Sequence, residues 1–152
     1  MGRDQELARV RDLLEAVRGG LTGALVVEGE AGIGKTSLLA AAEELADGFT
    51  CLWARGVESE AALGHAALLE LITPVRDRLA DVPAAQAEAL AAALGWGPTV
   101  APGDRYLVAA ATLSLLAAAA DPAPVLVLVD DLHWVDQESA AALLFAARRL
   151  RR

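Results

Sequence analysis

The sequence predicts an α/β fold, a parallel sheet covered by helices on both faces in three layers, with residues 1–152 forming one domain. Three features carry that expectation. Val125-Leu126-Val127-Leu128-Val129 is apolar at every position and so suits a strand buried on both faces of a covered parallel sheet. Ala24 to Glu28 is a second apolar run, ending in a glycine-rich turn. Helical patterns precede, separate and follow these runs, as strand and helix alternate in such folds.

Taken in order, Leu7, Val10, Leu14 and Val17 recur at helical spacing among charges, which predicts a first helix over 4–17 that stops near Gly19-Gly20. The strand at 24–28 follows, then a helix over 35–46 with Leu38, Leu39, Ala42 and Leu45 on one face and Gly48 just beyond its end. Thr50 to Arg55 holds β-favouring Thr50, Cys51 and Trp53 and is expected to be a strand. Helices are expected over 61–79, 84–94 and 105–120, the last capped by Asp104 after a Gly- and Pro-rich loop at 95–103. The strand at 125–129 and a helix over 137–150 complete the pattern.

Composition narrows the function classes. The one cysteine, Cys51, cannot form an internal disulfide and points to a reducing, cytoplasmic setting. The longest weakly polar stretch, Tyr106 to Ala120, falls short of the roughly 18 apolar residues that a bilayer span requires, and the charged amino terminus has no signal-peptide core. No membrane association is expected. A net charge of −8 argues against direct nucleic-acid binding by this segment, since phosphate backbones demand an excess of Lys and Arg. Arg148, Arg149, Arg151 and Arg152 are more simply the cationic last turn of a helix.

Gly29-Glu30-Ala31-Gly32-Ile33-Gly34-Lys35-Thr36 satisfies the pattern GxxxxGK[ST], placed between an expected strand and an expected helix. Glycines at those positions let backbone amides turn inward around phosphate, and the positive end of the helix adds to the field. The cradle is expected to comprise residues 29–36 with Ser37, with Lys35, the one lysine of the chain, reaching the β- and γ-phosphates. Glu30 is expected to turn its side chain to water. The Thr36 hydroxyl is expected to help hold Mg2+. A P-loop needs an acidic partner, and the apolar strand closing on Asp130-Asp131 has the form of a Walker B segment about a hundred residues on. Asp130 is assigned to magnesium, directly or through water, and Asp131 to polarising the attacking water or else to capping the next turn. His133 and Trp134 stand where they could read the nucleotide, or could simply pack and face solvent.

These motifs resemble those of the nucleotide-binding domain of signal-transduction ATPases with numerous domains (STAND), a division of the AAA-type P-loop ATPases, and especially the large ATP-binding regulators of the LuxR family. The resemblance rests on Gly2-Arg3-Asp4 with Glu6-Leu7, on Gly29 to Thr36, and on Asp130-Asp131-Leu132-His133-Trp134-Val135-Asp136. It implies an ATP/ADP-binding switch with slow Mg-dependent hydrolysis, used in transcription regulation, in which Gly2 and Arg3 lie near the adenine. Its implied partners are the other domains of a larger regulator and, with nucleotide bound, further copies of the chain. It also implies a three-layer P-loop NTPase fold incomplete at its C-terminal end, because the family's sensor strand would follow the last helix. A non-hydrolysing nucleotide-holding module and a P-loop phosphotransferase are the competing functions.

Overall fold

A parallel strand pair organises the computed structural model, which describes residues 3–18, 35–97, 104–121 and 123–150, with Arg3, Lys35 and Leu150 described in backbone alone. β1 (Thr50–Arg55) and β2 (Val125–Asp130) run side by side in register, from Thr50 opposite Val125 to Arg55 opposite Asp130. A parallel pair requires a crossover. Here the chain between them carries a 3₁₀ turn (Glu58–Glu60), α3 (Ala66–Ile72), a 3₁₀ segment (Thr73–Asp81), α4 (Ala84–Leu94) and α5 (Arg105–Ala119). Before β1 stand α1 (Arg3–Arg18) and α2 (Lys35–Leu45); after β2 comes α6 (Gln137–Leu150). The fold is thus α/β with a small parallel sheet among the described residues.

Alternation along the strands sends successive side chains to opposite faces. Cys51, Trp53, Leu126 and Leu128 join Val10 and Leu14 of α1 and Ala42 of α2 on one face. Leu52, Ala54, Val127 and Val129 join a larger cluster from α3 to α6 on the other. Register makes this consistent, because Cys51 pairs with Leu126 and Leu52 with Val127. Leu52, Leu68, Leu71, Leu90 and Leu115 are fully buried, each contributing about 2 kcal/mol by transfer from water.

The expected helices over 4–17, 35–46, 84–94, 105–120 and 137–150 are present within a residue or so of those bounds, and β2 extends one residue further, to Asp130. Arg18 closes the end of α2, its guanidinium donating to the carbonyls of Leu45 at 2.9 Å and Asp47 at 3.2 Å. The Leu45 carbonyl is among the acceptors that a helix end leaves unpaired. Gly95 ends α4 at φ 75, a left-handed conformation that costs glycine nothing. Arg148 and Arg149 occupy the last turn of α6. The strand expected at 24–28 lies outside the described residues.

One expectation fails. Residues 61–79 are not a single helix: α3 begins only at Ala66, and at Ile72 it gives way to the 3₁₀ segment. Pro74 has no N–H to donate to the Glu70 carbonyl, and Val75 leaves helical dihedrals at φ −112, ψ 18.

Asp104 caps α5 as expected, accepting from the amides of Tyr106 at 2.8 Å and Leu107 at 3.4 Å. Asp104→Ala is expected to lower stability by about 1 kcal/mol. In urea denaturation this appears as an earlier midpoint with an unchanged slope.

Candidate functional site

Ligands of parallel α/β sheets bind beyond the carboxyl ends of the strands, and here those ends carry Arg55 and Asp130. Asp130 closes β2 and is 3 % exposed. One carboxylate oxygen, Oδ2, accepts from the Thr36 hydroxyl at 2.7 Å and from the Arg55 guanidinium at 3.3 Å. The other, Oδ1, accepts from the Asp131 amide at 2.9 Å. Burial pushes this carboxyl upward, but the hydrogen bonds from Thr36, Arg55 and the Asp131 amide, with the charge of Arg55, outweigh it and hold the carboxyl below its ordinary value. It is ionised at neutral pH. Thr36 lies in the first turn of α2, so the contact spans 94 positions of sequence. A cleft of about 250 Å³ opens beside it, lined by Thr36, Trp53, Ala54, Arg55, Glu70 and Asp130.

The chain turns sharply after β2. Asp131 adopts a left-handed backbone, φ 50 and ψ 51, and leads into a 3₁₀ turn over Leu132–Trp134. Its side chain makes no capping hydrogen bond to that turn. Instead, one oxygen stands 3.9 Å from Nε of Arg55. The turn packs directly on β1's end at Gly56. A Cβ there would collide with the Asp131 carbonyl oxygen and come within 2.7 Å of backbone atoms of Trp134 and Val135, so only glycine fits. The Gly56 amide donates to the Asp130 carbonyl at 2.8 Å. His133 and Trp134 are exposed, with ring centroids 4.9 Å apart.

Of the residues expected to form the site, Thr36 and Asp130 meet, Asp131 flanks them, and Ser37 is exposed in the first turn of α2. Lys35 opens α2 beside Thr36, but its side chain lies outside the described residues, as does that of Arg3 at the start of α1. Gly2 and the stretch Gly29 to Gly34 lie outside them altogether.

A family model for the AAA ATPase domain matches residues 1–152. The chain belongs to the AAA ATPase domain family. No curated protein and no solved structure matches it. Membership makes this a P-loop ATPase domain, a class whose activity is ATP binding and hydrolysis. No helix among the described residues is long and apolar enough to cross a membrane.

Behind the acidic turn, the AAA ATPase domain holds a polar hub that the sequence did not reveal. Asp136, 2 % exposed, accepts from the backbone amides of His65 at 2.7 Å, Ala67 at 3.1 Å and Ser139 at 2.9 Å. The fully buried Ser139 hydroxyl accepts from the Leu68 amide at 2.8 Å. Asp136, just before α6, and Ser139 in its first turn thereby satisfy the amides that open α3, with His65 held left-handed at φ 68. Burial pushes the Asp136 carboxyl up, but its hydrogen bonds from the backbone and Ser139 prevail and hold it below its ordinary value. Arg55 and Glu70 were also missed. Arg55's place at the carboxyl end of an expected strand was the available signal; Glu70 had none.

Proposed function

We propose that the domain is an ATP-binding and slowly hydrolysing, magnesium-dependent switch module of a larger cytoplasmic signal-transduction regulator of the LuxR type. The observation that supports it most is the 2.7 Å contact between Thr36, at the opening of α2, and the ionised Asp130, at the end of β2. Those are the positions from which a P-loop threonine and a Walker B aspartate act together. In this reading residues 1–152 are one domain of three layers. Gly29 to Ser37 cradle the phosphates, Lys35 reaches the β- and γ-phosphates, and Gly2 and Arg3 border the adenine. Binding of ATP in place of ADP alters contacts with other domains of the regulator and between copies of the chain.

Thr36 and Asp130 suit magnesium, since each offers a hard oxygen and magnesium takes only one or two protein ligands beside water and phosphate. Among the described residues no group of three or more His, Cys, Asp or Glu side chains is arranged to hold a metal, and magnesium requires none. When bound, it supplies neutralisation of charge on the β- and γ-phosphates. Asp130 stays ionised to hold that ligand, while Asp131, 36 % exposed beside the cleft, orients and polarises the attacking water.

Asp131→Asn tests the hydrolytic half of this reading. MgATP affinity by calorimetry is expected to stay within about twofold, while single-turnover phosphate release slows by at least about a hundredfold. Unchanged phosphate release from the variant removes Asp131 from the chemistry. A wild-type chain that binds ATP without any turnover is a nucleotide-holding module instead.

A further inference from the structure

Arg55 is the one cationic side chain among the described residues lining the cleft; the other two charged residues there, Glu70 and Asp130, are carboxylates. An anionic tail entering such a cleft is repelled by both acids unless a cation meets it. The Arg55 side chain is 59 % exposed, whereas that of Asp130 is 4 % exposed. Its hold on the acids is loose. Among the described residues its side chain makes one hydrogen bond, at 3.3 Å, to an oxygen that Thr36 already engages at 2.7 Å, and a 3.9 Å approach to Asp131. That is far from the two-bond fork by which a guanidinium grips a carboxylate or a phosphate.

The backbone beneath it is firmly tied. The Arg55 amide donates to the Glu70 carboxylate at 3.0 Å, and the next amide, that of Gly56, to the Asp130 carbonyl at 2.8 Å. A long side chain on a fixed base, weakly engaged by carboxylates at the edge of the cleft, is free to exchange them for a phosphate.

We infer that Arg55 distinguishes a nucleoside triphosphate from a diphosphate, by transferring its guanidinium from Asp130 and Asp131 to the terminal phosphate. The inference rests on the ATP-site reading above. The transfer adds a cation where the triphosphate carries charge that the diphosphate lacks, so Arg55 contributes to affinity for one and not the other. A residue that only neutralised the two acids would affect the two nucleotides more nearly alike, differing only by their total charge.

Calorimetry of the full chain with magnesium, titrating ADP and a non-hydrolysable ATP analogue, separates these cases. Arg55→Ala is expected to weaken the triphosphate analogue by about tenfold or more, as loss of a charge-assisted phosphate contact does, while ADP affinity shifts by less than about twofold. Arg55→Lys, which keeps the charge but not the fork, should restore part of the preference. If Arg55→Ala does not fold, Arg55→Gln, which retains much of the side chain's length, is judged by the same ratio. An unchanged triphosphate-to-diphosphate ratio in the folded variant, with wild-type binding intact, overturns the inference alone. A wild-type chain that binds neither nucleotide overturns the ATP-site reading and the inference with it.

Discussion

Lys35→Ala is expected to lower affinity for MgATP and MgADP by about thirtyfold to a thousandfold, equivalent to some 2–4 kcal/mol. No other lysine exists in the chain to replace it. Lys35 is the first residue of α2, immediately before the threonine that meets Asp130, and the amino end of a helix attracts phosphate. Arginine is a poor substitute, being a planar fork where the P-loop uses a compact charge, and Lys35→Arg is expected to recover little of the loss. Thermal unfolding run alongside calorimetry separates this from a folding defect. Affinity within threefold of wild type would exclude the phosphate cradle as the nucleotide site.

The second large effect is on stability. Asp136→Ala removes the acceptor of three backbone amides, those of His65, Ala67 and Ser139, at a site with almost no access to water. Each stranded donor costs about 1–3 kcal/mol, so a loss of about 4 kcal/mol is expected in urea denaturation at neutral pH. That is a large part of a typical domain's margin. Asp136→Asn supplies the pH test. Because the folded carboxyl titrates below its ordinary 3.8, its stabilisation is complete above that value and is lost as pH falls through the depressed one. The wild type should therefore lose more stability than Asp136→Asn between pH 7 and pH 3, the other carboxylates contributing equally to both. Equal losses would show that the charge on Asp136 contributes nothing.

Much of this architecture was legible in the residues. The continuous apolar run ending in Asp130 and the β-favouring run before Gly56 could each be placed as a strand from side-chain type alone, and Asp104 announced its helix because a short acceptor before an apolar stretch has few other uses. Thr36 and Asp130 could be paired across the sequence because phosphate chemistry requires both. The break within 61–79 was harder. Alanine and leucine favour a helix there, and it is Asp136 and Ser139, some seventy positions away, that take up the first amides of α3 and set where it begins. Local propensity carries no trace of such a partner. Arg55 had its place at the end of an expected strand as a signal, but only the strand register brings it opposite Asp130.

Gly56 has a mechanical consequence. Backbone meets backbone there with no side chain between, so the segment from Asp131 to Val135 cannot press toward β1 without driving the strand end before it. Atoms in hard contact pass displacement on, whereas a soft side chain would dissipate it. Any shift of Asp131 along that direction is therefore delivered to Arg55 and, through the bond from its amide to Glu70, to α3. The helix lies under the far side of the sheet, giving the site a short, stiff lever into the larger of the two apolar clusters among the described residues.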